Sequence, residues 1–533
     1  MDFIIGLVWA IVALVLVLVG LIVFRRRRRP PGRDLARVKS SSGSTKKVIL
    51  IVVDSLLANS LQDGIRQNRL PTFKYLIDHG QYYTGFVSSF PTMSVTIDST
   101  LLTGTHPDRH HVPGLIWYCA EKQQLINYGT GPMEILHQGL NTVLLSSLVD
   151  LNQRQLSKNT PTIYEDLSQM GLTSGSINGM IYRGAAEHKM YFPAWLSGFT
   201  ALPEKLTVKA PDFFAFGSFS NPLRGIVDLA DGFTVRLGLN SKFSAATAEY
   251  LIRHNKLPDF LYIYLPDIDK PLHNNGPSDL TYVEQADGQL HNLLQAFGSP
   301  EQAKQQAIFV VMGDSGVAAI VSGPERAMID LSAQLSGYKV LRTGEKVSDD
   351  TELVLAVNET MAYVYKLKAR QSFREVADVI RQDDRIDLIA WQEKGWIHVL
   401  TAAPQLEMKY QRGGSLTDRY GQAWTIEGDP AALDITVMGD QLEYGNYPDG
   451  LERLRAALYS HAGDPMVVTA KPGHELTDRY SPKHYGGGAH GSLHRAETDL
   501  PLIVYGTERK PNTNRMVDLK SYLLSLITEQ KTS

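Results

Sequence analysis

Four aspartates stand where three apolar runs stop. Asp54 ends Val48-Ile-Leu-Ile-Val-Val-Asp54, Asp267 and Asp269 end Phe260-Leu-Tyr-Ile-Tyr-Leu-Pro-Asp-Ile-Asp269, and Asp314 ends Ile308-Phe-Val-Val-Met-Gly-Asp314. Carboxylates at the carboxyl ends of strands face the crevice where an open α/β sheet binds its ligands. One such aspartate is weak evidence, because Asp is also a common turn and N-cap residue. Two histidines in glycine-rich loops strengthen the pattern. His273 follows Asp269 by four residues in Asp269-Lys-Pro-Leu-His273-Asn-Asn-Gly276-Pro277, a spacing that lets both ligate one ion across a tight turn. His490 lies in Gly486-Gly-Gly-Ala-His490-Gly491-Ser492, where small neighbours allow backbone and side chain close to an ion or phosphate. A solvent loop would carry either histidine equally well. The last candidate is Ser94, in Phe90-Pro-Thr-Met-Ser94-Val-Thr-Ile-Asp-Ser-Thr-Leu-Leu-Thr-Gly104. Pro91 before it and Gly104 after it predict a helix that Ser94 opens. At such a start the backbone N–H groups and the helix dipole favour an alkoxide and a bound phosphate. A structural N-cap serine would look the same locally.

In order and spacing these motifs resemble the type I phosphodiesterase/nucleotide pyrophosphatase family of the alkaline phosphatase superfamily. That family has an aspartate after its first strand, then Pro-Thr-x-Thr with the second Thr as nucleophile, then Thr-Gly, Pro and His at fixed intervals. Here Pro91-Thr92-Met93-Ser94, Thr103-Gly104, Pro107 and His110 match without a gap, with serine for threonine. Asp269, His273, Gly276 and Pro277 match its Asp-x-x-x-His and following Gly-Pro, and His490-Gly491 matches its late His-Gly. Asp314-Ser315-Gly316 matches its Asp-His-Gly, and the resemblance spans roughly Lys47 to Gly506. It implies two divalent metal ions. One, expected to be zinc, would be held by Asp269, His273 and His490; the other by Asp54, Asp314 and the nucleophile Ser94. The implied activity is hydrolysis of a small-molecule phosphoester through a phosphoseryl intermediate.

Three points depart from the family pattern. Ser315 replaces a histidine ligand of the second metal, which leaves an all-oxygen set expected to bind Zn, Mn or Mg more weakly. Ile97 stands where the family often has a phosphate-contacting asparagine. Asp267 fits the family's Pro-Asp wording, whereas Asp269 fits the spacing, and ligand geometry depends on spacing.

Elements must position these residues. The runs Val48–Val53, Phe260–Leu265, Ile308–Met312 and Leu502–Tyr505 read as buried parallel strands. Helical stretches such as Thr72–His79, stopped by Gly80, and Tyr282–Leu294 lie between them. The expected fold class is therefore α/β, with a doubly wound, mostly parallel central sheet. From about Ser336 to His461 the pattern changes. Alternating stretches Met361–Tyr365 and Trp396–Leu400, with helix-like Ser372–Arg381, predict a small α+β insert. Expected boundaries are a core over 48–335 and 462–533 with the insert at 336–461. Tyr182, Tyr191 and Phe192 could stack a nucleobase, though core aromatics are the plainer reading.

Phe3 to Phe24 is an unbroken apolar run of about 33 Å as a helix, enough to cross a bilayer. It predicts an N-terminal transmembrane helix within 1–24. Arg25–Arg29 follow at once and open a basic tether over 25–47, rich in Pro, Ser and Gly. By the positive-inside rule the arginines, and the catalytic body after them, are cytoplasmic, with Arg25–Arg29 near anionic lipid. The segment from Arg25 to Lys47 carries +9 of a chain whose formal net charge is −3, which leaves −12 for the rest. An acidic body without a basic groove argues against a nucleic-acid polymer as partner. Cys119 is the only cysteine, so no intrachain disulfide can form. Two other functions fit the same residues. One is a phosphomonoesterase or phosphoryl-group transferase on a lipid or envelope substrate. The other is a degenerate, non-catalytic metal-binding membrane protein, in which a hydroxyl at position 94 would be unnecessary.

Overall fold

The apolar runs become one seven-stranded sheet. In chain order its strands are β1 (Lys47–Val53), β2 (Gln81–Val87), β3 (Ser174–Ile177), β4 (Phe213–Ala215), β5 (Phe260–Leu265), β6 (Ala307–Gly313) and β7 (Asp499–Tyr505), arranged β2-β7-β6-β1-β5-β3-β4. The computed structural model describes residue 35 and residues 46–341, 344–368 and 372–528. The expected transmembrane helix, and the basic tether apart from residues 35, 46 and 47, lie outside the described residues. No helix among the described residues is long and apolar enough to cross a membrane.

β1 is apolar on both faces because both are covered. Ile49, Ile51 and Val53 pack into one core with Phe73 and Leu76 of helix Pro71–His79, Leu251 of helix Ser241–Arg253 and Leu290 of helix Thr281–Ala296. Val48, Leu50 and Val52 point the other way, into a core with Leu101, Tyr164 and Leu523, which lie on three further helices. This is a three-layer α/β fold with a mostly parallel sheet. Neighbours β6, β1, β5, β3 and β4 run parallel. β7 is the exception, antiparallel to both β2 and β6. The expectation of a parallel strand at Leu502–Tyr505 is therefore corrected. A continuous apolar run reports burial of both faces and carries no information on direction.

A second, ten-stranded sheet runs from Val340–Leu341 to Ile435–Met438 along its main path. It contains the strands Met361–Lys366 and Trp396–Thr401, and helix Phe373–Ile380 starts at a capping box made by Ser372 and Glu375. The strand Pro465–Ala470 also belongs to this sheet, pairing with both Met361–Lys366 and Ile386–Glu393, although it lies past residue 461. Buried Arg453 ties helix Gly450–Leu458 to the core side, donating to Ser89 O at 2.9 Å and Thr498 Oγ1 at 2.8 Å. Tyr182, Phe192, Phe214 and Phe216 share a buried aromatic cluster, and the Tyr182 hydroxyl donates to Leu148 O at 2.6 Å, so Tyr182 and Phe192 are core residues.

Candidate active site

Register places the strand-end aspartates together. Val53 of β1 pairs with Gly313 of β6 and with Leu265 of β5, so the residues after all three strands emerge side by side. Asp54 and Asp314 are buried there. Asp314 Oδ1 accepts the N–H groups of Ser55 at 2.7 Å and Ser315 at 2.8 Å. Ser55 has φ of 55°, a left-handed conformation uncommon for serine, which turns the chain just after Asp54. Its hydroxyl donates to Asp269 Oδ1 at 2.8 Å. Sequence reasoning passed over Ser55; its only signal was adjacency to Asp54.

Asp269 begins helix α2 (Asp269–Asn275), a short turn that puts Asp269 and His273 on one face. Asp269 Oδ1 lies 3.2 Å from His273 Nε2 and 3.4 Å from His490 Nε2. The competing Asp267 is engaged elsewhere. Its Oδ2 accepts the N–H of Ser241 at 2.9 Å and its Oδ1 faces Arg236 at 3.5 Å.

Both imidazoles are held by their far nitrogens. His273 Nδ1 donates to Gly488 O at 2.8 Å and His490 Nδ1 to Thr92 O at 2.6 Å, leaving each Nε2 toward Asp269. The glycine-rich loop is needed for this closeness. A Cβ on Gly487 would stand 1.9 Å from His273 O. Gly491 has φ of 139°, and a Cβ there would stand 2.5 Å from Asn358 O.

Ser94 is the first residue of helix α1 (Ser94–Thr103), after Met93 as N-cap, and Gly104 closes the helix in a left-handed conformation at φ 64°. The segment before Ser94 is fastened to the His490 loop, since Thr92 Oγ1 accepts the N–H of Gly491 at 2.7 Å. His110 braces the helix from behind, with Nε2 3.0 Å from Thr100 Oγ1. Burial pushes the His110 imidazole well below its usual range. Ile97 is fully buried in the core beside Val52, so it makes no phosphate contact of the asparagine kind.

Charge is unbalanced at the strand ends. Burial, then the neighbouring Asp314 and Asp269, pushes the Asp54 carboxyl well above its usual range. Burial likewise raises Asp314. Asp54 Oδ1 and Asp314 Oδ2 are buried with no hydrogen-bond partner. Buried oxygens of this kind are costly unless a cation or proton meets them. Burial opposes charge on Asp269 too, but His273 and His490 hold it well below the usual range. Burial lowers the imidazoles, and Glu359 with Asp269 more than reverses this, to about 11 for His273 and about 9 for His490.

Asp269, His273 and His490 present three ligand atoms mutually within 4.8 Å, close enough to hold a metal ion. The donor set and the two unpartnered carboxylate oxygens fit divalent cations. Ser315 is buried with its Oγ 3.5 Å from Ser55 Oγ, so the residue after Asp314 is a hydroxyl. His494 does not replace the expected imidazole there, because its Nδ1 accepts from Ala496 N and caps a helix. His484 packs on His273.

A sequence profile described as type I phosphodiesterase / nucleotide pyrophosphatase matches residues 48–493. No curated protein sequence matches the chain. Among solved structures, phosphonoacetate hydrolase from Sinorhizobium meliloti in complex with phosphonoacetate superposes with a TM-score of 0.55 at 14% identity, covering 91% of this chain and 96% of that one. Murine ectonucleotide pyrophosphatase/phosphodiesterase 5, an inactive variant in complex with AMP, gives 0.52 at 14% identity, covering 90% and 95%. These two likenesses concern the fold.

Proposed function

This chain belongs to the type I phosphodiesterase / nucleotide pyrophosphatase family of phosphoester hydrolases, and from that premise we propose that it is a membrane-anchored, metal-dependent phosphodiesterase acting through a phosphoseryl intermediate. One observation carries the reading. Asp269, His273 and His490 converge beside two buried, cation-seeking carboxylates, Asp54 and Asp314, and the segment bonded to His490 through Thr92 leads two residues later into Ser94, the first residue of α1.

Asp269, His273 and His490 would hold one ion, expected to be zinc, and Asp54, Asp314 and Ser94 a second, harder-liking site. Bound there, divalent ions supply positive charge that lowers the serine hydroxyl's pKa and offsets charge developing on phosphorus-bound oxygens. Ser94 Oγ gives up its proton to solvent and attacks phosphorus in line. The new Oγ–P bond forms as the bond to the leaving oxygen breaks, and that oxygen departs with the electron pair and takes a proton from solvent. Water then cleaves the phosphoseryl ester and restores the hydroxyl. The start of α1 directs backbone N–H groups at the phosphate during both steps. His490 keeps its orientation through Thr92 O, so the segment that carries the nucleophile is coupled to the imidazole.

The test is hydrolysis of a nitrophenyl phosphodiester by the purified protein. Activity is expected, together with its loss to a chelator and its recovery on adding Zn²⁺ or Mn²⁺. Absence of turnover, or turnover indifferent to chelator, overturns the proposal.

A further inference from the structure

A hairpin turn of the second sheet reaches into the site. Glu359 and Thr360 join the strands Leu353–Asn358 and Met361–Lys366, and Glu359 adopts a left-handed conformation with φ of 59°. Glu359 Oε2 accepts the backbone N–H of His490 at 3.1 Å, and Oε1 stands 3.7 Å from His273 Nε2. On the other side the His484 ring packs on His273, with centroids 4.3 Å apart. His273, Glu359 and His484 thus present three ligand atoms mutually within 4.8 Å, a second such group that shares only His273 with the first.

His484 is held as metal-binding imidazoles are held. Its Nδ1 donates to Glu475 Oε1 at 2.8 Å and its backbone N–H donates to Glu475 Oε2 at 2.9 Å. Glu475 is fully buried and its whole carboxylate orients this one residue. Fixing one ring nitrogen in this way leaves the other, Nε2, for a ligand, the arrangement by which carboxylates set the tautomer of ligating histidines.

We propose that His273, Glu359 and His484 form a second seat for a zinc-like divalent cation, beside the Asp269/His273/His490 seat and exclusive with it. The proposal rests on the metal reading of the site given above. Exclusivity follows because His273 Nδ1 is engaged by Gly488 O, so Nε2 is the one nitrogen both seats use, and it ligates one ion at a time. Two imidazoles and a carboxylate suit zinc or cobalt better than calcium or magnesium. The seat explains why the family's Asp, His and His are joined here by a His484 oriented by buried Glu475, a pair that the proposed reaction does not use.

The experiment is a Co²⁺ titration of the full chain read by visible absorption, with Zn²⁺ affinity by chelator competition. It uses wild type, Asp269→Asn, and Asp269→Asn combined with His484→Ala or with Glu475→Gln. Asp269→Asn is expected to keep a His484-dependent cation with an altered cobalt spectrum. Adding His484→Ala should weaken that affinity at least ~10-fold, and adding Glu475→Gln by ~10–100-fold. His490→Ala, which cripples the first seat through another residue, repeats the test if Asp269→Asn does not melt cooperatively. If wild type binds cation here but the crippled chains do not, or bind it regardless of His484, the second seat is overturned while the phosphodiesterase reading stands. If wild type binds no cation, both fall.

Discussion

Ser94 is where chemistry and placement meet. It opens α1 after a segment clamped to the His490 loop, and nothing else in that turn combines a hydroxyl with the first helical position. Ser94→Ala is expected to lower turnover at least ~10³-fold without changing the melting curve, on the scale of losing a covalent nucleophile. Near-normal rates in a folded variant would move the assignment to Thr92 or Thr96. The proposed metal ligands lead to an asymmetric expectation. The Asp269 site offers two imidazoles and a carboxylate, whereas beside Asp54 and Asp314 stands Ser315. One ion should survive purification and a second should be lost on dialysis, with activity returning on adding Mn²⁺, Mg²⁺ or Zn²⁺. Ser315→His should tighten the second site. Two equally tight ions per wild-type chain would contradict this.

At the scale of elements, buried strands of the second sheet carry their own titration. Asp387 lies in Ile386–Glu393 with Oδ1 accepting from the Tyr447 hydroxyl at 2.8 Å and Oδ2 unpartnered. Burial, only partly offset by Tyr447 and Lys471, pushes its carboxyl up from 3.8 to about 6. The folded chain therefore holds this proton more tightly than the unfolded chain. Its contribution to stability is complete below pH 3.8 and is lost as pH rises through about 6. Asp387→Asn keeps the acceptor and removes the charge. It should stabilise the protein at pH 8 by on the order of 2 kcal/mol relative to wild type, and by little at pH 4. Urea unfolding at both pH values reads the difference, and parallel pH profiles for the two proteins would refute it. The strands also show how much the chain's local pattern reveals. Apolar runs located β1, β5, β6 and β7, and the helix-like stretch Ser372–Arg381 became helix Phe373–Ile380, whose start is fixed by a Ser372–Glu375 capping box. Direction was not encoded in the same way, and β7 proved antiparallel because neighbour choice is made by packing.

For the whole molecule, the proposed membrane anchor carries an expectation about orientation. Arginines follow the apolar run Phe3–Phe24 and none precede it. The expected orientation is amino terminus out and body in. A C-terminal fusion to a reporter active only outside the cytoplasm should stay silent, and a strong signal would reverse the orientation. Arg453 of helix Gly450–Leu458 bonds Ser89 and Thr498 beside β2 and β7, and the Glu359 turn of the ten-stranded sheet bonds His490, so that turn reaches the site from the second of the two larger sheets.

Strand ends, a helix start and a glycine-rich loop are local features, written in contiguous residues by period, cap and conformational freedom. For that reason Asp54, Asp269, His273, Asp314, His490 and Ser94 were all legible as candidates, and the four-residue spacing favoured Asp269 over Asp267. What no local pattern held was convergence. Ser55 matters because a left-handed turn aims its N–H at Asp314 and its hydroxyl at Asp269. Glu359 matters because a hairpin of another sheet delivers it against His273. His484 and His494 flank His490 similarly in sequence, yet one packs on His273 and the other caps a helix. Those outcomes depend on which distant segments pack together, and burial and steric fit across the assembled core, not neighbouring residues, decide that.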